Sequence, residues 1–381
     1  MSEWKETTLG QLVTFQRGHD LSQPQFQDGQ YPIVSSYGII GYHDKYTTPG
    51  HCVTIGRSGN SIGKPFFIEF DFWAHNTTLY VKKFHDSFPK FIFYLLKTIN
   101  FKALDSGSAV PSLNRNYIHP LPINAPGYEE QKRIAAVLTC LDRKISNLRQ
   151  QNETLESIAQ TLFKHWFVDF EFPNEDGKPY KSSGGAMVRS DLGDIPVGWT
   201  FGKLGDEFDI VMGQSPAGSS YNQDGDGLIF FQGRTDFGFR FPSVRLFTSE
   251  PKRIANKLDV LVSVRAPVGD INVASDRCCI GRGLAAVSGK YQSYCLHKLK
   301  SYRKFFDVFE SEGTVFGSLN KQNFNDLDSA IPNEEILNEF NSIISPVDRK
   351  VFINEQQIQT LTETRDRLLP KLMSGQLRIP E

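Results

Sequence analysis

Two glycine-rich stretches of the chain carry residue types that hold phosphate groups in nucleotide-binding loops. Residues 56–65 read Gly-Arg-Ser-Gly-Asn-Ser-Ile-Gly-Lys-Pro, but Ser58 stands where a phosphate loop needs its first glycine, and Pro65 replaces the hydroxyl residue that holds Mg²⁺. Residues 281–286 match the dinucleotide pattern Gly-x-Gly-x-x-Ala, but no acidic residue about 20 positions on falls in the second strand of a βαβ unit. Neither stretch predicts a nucleotide site.

Metal ligands and methyl-transfer motifs are also missing from the sequence. The eight histidines are scattered and the five cysteines form no Cys-x-x-Cys pair, so no structural zinc site is predicted. An odd number of cysteines fits reduced thiols better than a disulfide framework. No Asn/Asp-Pro-Pro-aromatic run is present to hold a flipped adenine for methylation. We therefore expect no catalytic residue, no metal and no cofactor in this chain.

The elements that would position any site are arranged as two copies of one pattern. Matching segments recur at offsets that drift in the globular parts and hold constant in the helices, which is typical of diverged copies whose loops vary. The matching pairs are Trp4 with Trp199, Arg57 with Arg265, Asn114 with Asn320, and Asp142 with Asp348, at offsets of 195, 208, 206 and 206 residues.

Each copy begins with strand-like segments that are separated by Gly, Pro, Asn and Asp turn clusters. Short helices are predicted at residues 89–100 and 292–310, where apolar and aromatic residues recur at helical spacing. Each copy then ends in a long helix. The predicted boundaries are a first globular domain at 1–128, a first long helix at 129–167, a linker at 168–198, a second globular domain at 199–333 and a second long helix at 334–375.

The two long helices carry narrow apolar stripes at heptad spacing, sustained over four heptads, which predicts a coiled-coil seam. An ordinary amphipathic helix packed on its own domain is the alternative. Antiparallel pairing in a register where paired residue numbers sum to 506 places Asn152 opposite Asn354, so that the two amides satisfy each other. The predicted seam is Ile145, Leu148, Asn152, Leu155, Val351, Asn354, Ile358 and Leu361.

The predicted fold class is α+β (mixed α/β), with two similar globular domains joined by two long antiparallel helices that form a coiled coil with internal pseudo-two-fold symmetry. Antiparallel helices would place the domains at opposite ends, whereas parallel helices would place them side by side. A helix of about 35–40 residues spans roughly 50–60 Å, so the pair would act as a ruler.

Three segments resemble the conserved regions of type I restriction–modification specificity subunits. Residues 126–145 contain Pro-x-x-Glu-Glu-Gln followed by Leu-Asp-Arg-Lys-Ile, and residues 162–199 contain Leu-Phe-Lys-His-Trp-Phe-Val-Asp-Phe and then Leu-Gly-Asp-Ile-Pro-x-Gly-Trp. Residues 368–375, Leu-Leu-Pro-Lys-Leu-Met-Ser-Gly, look like the family's C-terminal end. The second copy has Ile336-Leu337 where the first has Glu130-Gln131, so we expect a less regular start to the second long helix.

The resemblance implies that each globular domain is a target-recognition domain that reads one half of a bipartite sequence in double-stranded DNA. It also implies assembly with two methyltransferase subunits, which use S-adenosylmethionine, and with restriction subunits, which use ATP and Mg²⁺. This chain would then be a non-catalytic subunit. The alternative is a duplicated coiled-coil scaffold or protein-binding module, which would lack salt-sensitive binding to a bipartite duplex.

Base identity is read by side chains that make paired hydrogen bonds, with Arg favouring guanine and Asn or Gln favouring adenine. Any one of these residues is otherwise a solvated loop residue or a structural hydrogen-bonder, and the equivalent Arg57 and Arg265 equally fit a shared structural ion pair. The candidates in turn-rich segments are Arg17, Arg57, Ser58, Asn60, Lys64, Asn114, Arg115 and Asn116 in the first domain, and Gln214, Gln232, Arg234, Arg265, Asn320, Lys321 and Gln322 in the second.

Charge and hydropathy bear on the partners and the location. The net charge is −1, which argues mildly against nucleic acid, although residues 1–128 carry +2 and residues 199–333 carry +1. We therefore expect the isolated chain to bind DNA weakly, with the methyltransferase partners packing on the helices. The sequence has no apolar run near 18 residues and opens without a leader-like pattern, so we expect no membrane contact and a cytoplasmic protein.

Overall fold

A computed structural model describes residues 4–104, 112–311 and 317–380. The chain divides into two compact units. The first unit is Met1–Asn147 together with Ile358–Glu381, and the second unit is Leu148–Gln357. Each long helix contributes one stretch to each unit, because the boundaries fall inside both helices.

The first unit is built from short strands and helices followed by the start of a long helix. Its strands are β1 Lys5–Thr8, β2 Val13–Arg17, β3 Tyr31–Ser35, β4 Gly38–His43, β5 Cys52–Gly56, β6 Pro65–Ile68, β7 Trp73–Ala74, β8 Thr78–Phe84 and β9 Pro122–Ala125. Its helices are α1 Leu9–Leu12, α2 Pro89–Thr98 and α3 Arg115–Ile118, after which comes the first long helix, α4 Tyr128–Phe163.

The second unit has the same kinds of element in the same order, preceded by a π-helical turn and a hairpin. The π-helical turn is Lys164–Val168, and the hairpin pairs β10 Met187–Ser190 with β11 Gly193–Pro196. The other strands are β12 Thr200–Lys203, β13 Asp209–Met212, β14 Tyr221–Asn222, β15 Leu228–Phe231, β16 Phe247–Thr248, β17 Ile254–Ala255, β18 Val260–Ser263, β19 Ile271–Val273, β20 Cys278–Ile280, β21 Leu284–Ser288 and β22 Asp328–Ile331. The helices are α5 Leu204–Glu207, α6 Gln292–Ser301, α7 Arg303–Ser311, α8 Lys321–Asn325 and the second long helix, α9 Glu334–Met373.

The sheets confirm the internal duplication. A two-stranded sheet β1-β9 in the first unit corresponds to β12-β22 in the second, and a four-stranded sheet β2-β8-β5-β6 corresponds to β13-β21-β18-β19. Both four-stranded sheets are antiparallel. A third sheet has three strands in the first unit, β4-β3-β7, and five in the second, β14-β16-β15-β20-β17. The fold is mixed helix and strand, as predicted.

The central strands β5 and β18 are apolar because both faces of the four-stranded sheet are covered. Every residue of β5 and of β18 is buried. Helix α2 in the first unit and α6 in the second pack on these sheets. The short helices predicted at 89–100 and 292–310 are therefore present, although the second is interrupted at Tyr302 between α6 and α7.

The starts of the two long helices differ in the way that their sequences differ. In the first unit the carboxylate of Glu130 accepts hydrogen bonds from Arg378 Nε at 2.6 Å and Arg378 Nη2 at 2.8 Å, while Gln131 Oε1 accepts one from the main chain of Phe88 at 2.9 Å. In the second copy Ile336 is buried in the core of the second unit instead. The less regular start expected there is wrong, since Asn333 Oδ1 accepts the Ile336 N–H at 3.1 Å and caps the helix.

The long helices run antiparallel within each unit. In the second unit Asn354 Nδ2 donates to Asn152 Oδ1 at 2.8 Å, and both side chains are fully buried. In the first unit Arg365 Nη1 donates to Asp142 Oδ1 at 2.8 Å. The predicted facing of the two asparagines is therefore confirmed.

Candidate nucleic-acid interface

The loop after β5 holds Arg57 firmly at its main chain and leaves its side chain half-exposed. The Arg57 N–H donates to Thr77 O at 2.8 Å, and Arg57 O accepts from the Leu113 N–H at 2.8 Å. The guanidinium makes one long contact, from Nη1 to Asn76 O at 3.3 Å. A fixed main chain with a partly exposed guanidinium is an arrangement that can read a base edge.

The turn that follows Arg57 requires glycine. Gly59 has φ +70° and Gly63 has φ +71°, in the left-handed region that favours glycine. A Cβ on Gly63 would also lie 2.3 Å from the Phe101 side chain. This turn displays Asn60 and Lys64 at the surface, whereas Ser58 is half-buried.

A second loop lies against the first and begins helix α3. Ser112 pairs with Ser58 in an isolated bridge. Asn114 Oδ1 accepts the Asn116 N–H at 3.0 Å and so caps α3. The side-chain oxygen of Asn114 therefore already has a partner within the protein, while Arg115 and Asn116 remain exposed.

These two loops and the end of β2 enclose a groove of about 640 Å³ in the first unit. The groove brings together four predicted residues from three separate stretches of sequence, namely Arg17, Arg57, Asn114 and Arg115. Ser58, Asn60, Lys64 and Asn116 are not among the residues that line it.

The positive charge of the groove is partly neutralised at one edge. Arg17 donates to Asp20 at 2.8 Å. Hydrogen bonding from Asn76, supported by the charge of Arg17, holds the pKa of the Asp20 carboxyl below its usual range. Arg57 and Arg115 have no ion pair among the residues that the structure describes. They are therefore the stronger candidates for contact with DNA.

The second unit repeats the same pair of loops. Arg265 follows β18 and pairs with Ser318 in an isolated bridge, and the Leu319 N–H donates to Val264 O at 2.9 Å. Asn320 Oδ1 accepts the Asn323 N–H at 2.8 Å and caps α8, as Asn114 caps α3. We call residues 57–64 with 112–117, and residues 265–270 with 317–322, the paired loops of the first and second unit.

Lys321 and Gln322 are exposed on the paired loops of the second unit, as is Arg265. No ion pair of Arg265 is found in the described part of the chain, so a shared structural ion pair at Arg57 and Arg265 has no support. Arg234 differs, because its Nη1 lies 2.6 Å from Asp270 Oδ2 in an ion pair. Arg234 therefore has a structural role, which the sequence analysis gave as the alternative to base reading for every candidate.

Gln214 and Gln232 lie on either side of the turn at residues 281–283. The glycines of this turn match a dinucleotide-binding pattern. The Gln214 N–H donates to Ile280 O at 3.0 Å, and the main chain of Gln232 lies 3.0 Å from where a Cβ on Gly281 would stand. The turn leads into strand β21 and not into a helix. It therefore lacks the helix N-terminus on which dinucleotide-binding loops depend.

Three exposed side chains near these loops were missed. Arg282 lies on the turn between β20 and β21, and its N–H donates to Ser215 Oγ at 3.2 Å. Tyr117 lines the groove of the first unit and is 59% exposed. Tyr37 is 70% exposed, and its hydroxyl lies 3.0 Å from where a Cβ on Gly59 would stand. An arginine between two glycines was a usable signal for Arg282, whereas nothing in the sequence placed Tyr37 beside Gly59.

The described residues contain neither a candidate metal site nor a candidate membrane span. No group of three or more His, Cys, Asp or Glu side chains there could hold a metal ion. None of the described helices combines the length and apolar character needed to cross a membrane.

Comparison with known proteins defines the class of the chain. The family described as "Type I restriction modification DNA specificity domain" matches it twice, at residues 1–157 and 196–363. The chain therefore belongs to this family and contains two copies of its domain, which agrees with the duplicated sheets and paired loops.

Individual relatives are similar along most of the chain. The provisionally named MjaX type I restriction enzyme specificity subunit of Methanocaldococcus jannaschii is 30% identical over 335 residues, which cover 85% of this chain and 76% of the relative. The HindI specificity subunit of Haemophilus influenzae is 25% identical over 360 residues, covering 76% and 77%. The crystal structure of a type I S subunit from M. genitalium has the same fold, with a TM-score of 0.70 at 18% identity, and covers 98% of this chain and 96% of that one.

Proposed function

We propose that this chain is the DNA-reading specificity subunit of a type I restriction–modification system. Each unit reads one half of a bipartite duplex target, and the chain directs two methyltransferase subunits and the restriction subunits to that target. The observation that carries the proposal is the pair of loops that occurs in both units, each with an arginine after a buried strand, partly exposed at Arg57 and exposed at Arg265.

The chain itself performs no chemistry in this proposal. The methyl donor S-adenosylmethionine, ATP and Mg²⁺ bind the partner subunits in the cytoplasm. Support comes from the fate of the two phosphate-loop-like stretches, which form a turn before β6 and a turn before β21. Neither stretch leads into a helix, so neither offers the geometry of a phosphate-binding loop.

The paired loops make different contributions to recognition. Arg57 and Arg265 read base edges. The main chain of Arg57 is fixed by two hydrogen bonds and its side chain is partly exposed, while Arg265 is held in a bridge with Ser318 and its side chain is exposed. Exposed lysines such as Lys64 and Lys321 contact phosphates, which set orientation and salt dependence but carry no sequence information.

The test is to replace the two arginines singly in a host that also supplies the partner subunits. Arg57→Ala is expected to relax one base position in one half of the target, and Arg265→Ala one position in the other half, each by about 1–3 kcal/mol of discrimination. Sequencing the methylated adenines across the host genome measures both halves at once.

The control variant is Arg189→Ala, which alters a guanidinium that is 86% exposed in the hairpin β10-β11. It should leave both halves unchanged. Methylation patterns that are identical for all three variants would refute base reading by these arginines. A scaffold function would be indicated if the chain, assembled with its methyltransferase partners, showed no salt-sensitive binding to the bipartite duplex.

A further inference from the structure

A cavity of about 360 Å³ lies in the second unit, against the start of α6 and one face of the second long helix. Its size is in the range of small-molecule sites in proteins. It is separate from the paired loops, since none of residues 265–270 or 317–322 lines it. Three kinds of side chain meet there, and each kind specifies one part of a ligand.

The first kind is aromatic. Phe241 and Phe352 line the cavity with their ring centroids 5.2 Å apart and their planes at 83°. The Lys257 ammonium lies 5.3 Å from the centre of the Phe352 ring. A flat ring packed on these side chains would replace water with aromatic contact.

The second kind is cationic. Lys257, Lys290 and Arg349 line the cavity and are all exposed. Helix α6, which has ten residues, begins at Gln292 in the cavity wall. The partial positive charge of a helix N-terminus adds to that of the three cations. Lys290 also pairs with Glu334, but the net charge of these side chains at the cavity is positive and favours an anion.

The third kind is a pair of acceptors without donors. Asp348 Oδ1 accepts from Arg240 Nη1 at 2.8 Å, but Asp348 Oδ2 and Gln292 Oε1 are buried and accept no hydrogen bond from any residue that the structure describes. A buried acceptor left unpaired costs about 1–3 kcal/mol. Both side chains line the cavity, so a hydrogen-bond donor on a ligand would supply the partner that either oxygen lacks.

The first unit provides an internal comparison. Its cavity at the equivalent place is lined by Asp142 and Arg143, which match Asp348 and Arg349. There both carboxylate oxygens are used, because Tyr94 Oη donates to Asp142 Oδ2 at 2.7 Å and Arg365 Nη1 donates to Asp142 Oδ1 at 2.8 Å. That cavity therefore has no unpaired acceptor at Asp142 to offer a ligand.

We propose that the cavity of the second unit binds a nucleoside monophosphate whose base carries an exocyclic amino group. The base packs on Phe241 and Phe352, its amino group donates to Gln292 and Asp348, and its phosphate lies among Lys257, Lys290 and Arg349. The site goes beyond DNA reading, and its test does not require that function.

The experiment is isothermal titration calorimetry of the full chain with AMP as the probe. AMP is expected to bind with a stoichiometry of one. Adenosine, inorganic phosphate and purine riboside 5′-monophosphate, which is AMP without the amino group, should each bind at least about tenfold more weakly, because each lacks one of the three matched parts.

Two variants and one matched control locate the site. Arg349→Glu and Lys257→Glu change exposed side chains and should each weaken AMP binding at least about tenfold, whereas the matched Arg143→Glu should leave it unchanged. Circular dichroism melts check that the variants are folded. If one of the two variants does not fold, the other alone is enough to test the site. The proposal is overturned if AMP shows no saturable binding, if both folded variants bind it normally, or if phosphate binds as tightly as AMP. Displacement of AMP by a duplex of unrelated sequence would instead identify the cavity as a contact for the DNA backbone.

Discussion

Arg240 is the residue on which the buried charges of the second unit depend. Only 3% of its side chain is exposed, and it pairs with Glu156 on the first long helix and Asp348 on the second. Burial alone raises the pKa of both carboxyls, but Arg240 with Lys300 lowers that of Glu156 to about 2, and His297 with Arg240 lowers that of Asp348 to about 2. The guanidinium of Arg240, which lies on a loop, therefore connects both long helices to the rest of the unit through ion pairs.

Replacement of Arg240 by alanine should destabilise the second unit strongly. It would leave two buried carboxylates short of their shared cation, and loss of one partner from a buried pair typically costs about 3–5 kcal/mol. Urea unfolding at pH 7 measures the change. Arg189→Ala, which removes an exposed pair whose atoms are 3.7 Å apart, should change the free energy of unfolding by less than about 1 kcal/mol. Equal effects of the two variants would show that the cluster does not hold the unit together.

The same cluster predicts how stability depends on pH. The pKa of Glu156 is lowered from 4.5 and that of Asp348 from 3.8, each to about 2. The stabilisation is therefore complete above about pH 4.5 and is lost as the pH falls towards 2, on the order of 3 kcal/mol for Glu156. Urea unfolding between pH 3 and pH 6 should show this slope in the wild type and a smaller one in Arg240→Ala. A slope that is the same in both proteins would contradict it.

Among the candidate site residues, sequence alone identified the loops that both copies share. Arg57 and Arg265 were found because each follows a buried strand, and both lie in the paired loops, but not at the same position. Arg265 makes the bridge that Ser58 makes in the first unit, and Val264 accepts the bond that Arg57 accepts there. The roles of Asn114 and Arg234 were not predictable, because a capping bond and an ion pair depend on where a neighbour 2 to 36 residues away folds. Arg282 was missed because its glycine-rich turn was judged by a nucleotide-binding pattern and not by its exposure.

At the scale of the elements, the C-terminal segment anchors the start of the first long helix. Glu130 is 1% exposed and accepts from Arg378, whose guanidinium also lies 5.8 Å from the Trp4 ring. Arg378→Ala should therefore remove the guanidinium that donates twice to a buried carboxylate and so destabilise the first unit. Hydrogen exchange of the amides of residues 128–135 reports it locally. Arg367→Ala, which alters an 81% exposed side chain, is the control and should have no such effect.

The facing asparagines of the helix pair call for a double-mutant cycle. Asn152→Leu alone removes the acceptor of Asn354 Nδ2, and Asn354→Leu alone removes the donor to Asn152 Oδ1, while Asn152 Nδ2 keeps its bond to Glu355. Each single change should destabilise the protein by about 1–3 kcal/mol. The double variant should be destabilised by less than the sum of the two single effects, because both facing amides are gone and the bond lost besides theirs is the one that Asn152 donates to Glu355 at 2.6 Å. Thermal unfolding of the four proteins gives the coupling. Additive single effects would mean that the two amides do not interact.

The elements that sequence predicted well are those whose signal is long or repeated. The heptad stripes gave both long helices and the facing of Asn152 and Asn354, because a period sustained over four heptads leaves few alternative registers. Short strands such as β14 and β16, with two residues each, have too little sequence for a period. The start of the second long helix was mistaken because the Asn333 cap falls at an unspecified position of the Pro-x-x-Glu-Glu-Gln motif.

At the scale of the whole molecule, the two copies make a corresponding contact with different residues. In each copy, the aspartate of the repeated Asp-Arg-Lys segment lies on a long helix. It contacts a short helix of the globular domain. In the first unit Tyr94 of α2 donates to Asp142, and in the second His297 of α6 lies 3.4 Å from Asp348. The duplicated aspartate was visible in the sequence, whereas its partners were not, since tyrosine and histidine at equivalent positions show no sequence match.

The proposed ruler role of the long helices predicts what a longer pair would do. One heptad inserted before Asn152 and one after Asn354 keeps the asparagines facing and preserves the seam, because seven residues are nearly two whole turns. The insertion adds roughly 10 Å, so the gap between the two halves of the DNA target should grow by about three base pairs. Mapping of methylated adenines in a host that supplies the partner subunits measures the gap. A heptad inserted into only one helix is the matched control, and it should lose methylation because the seam no longer pairs. An unchanged gap with both heptads in place would rule out spacing by the helix pair.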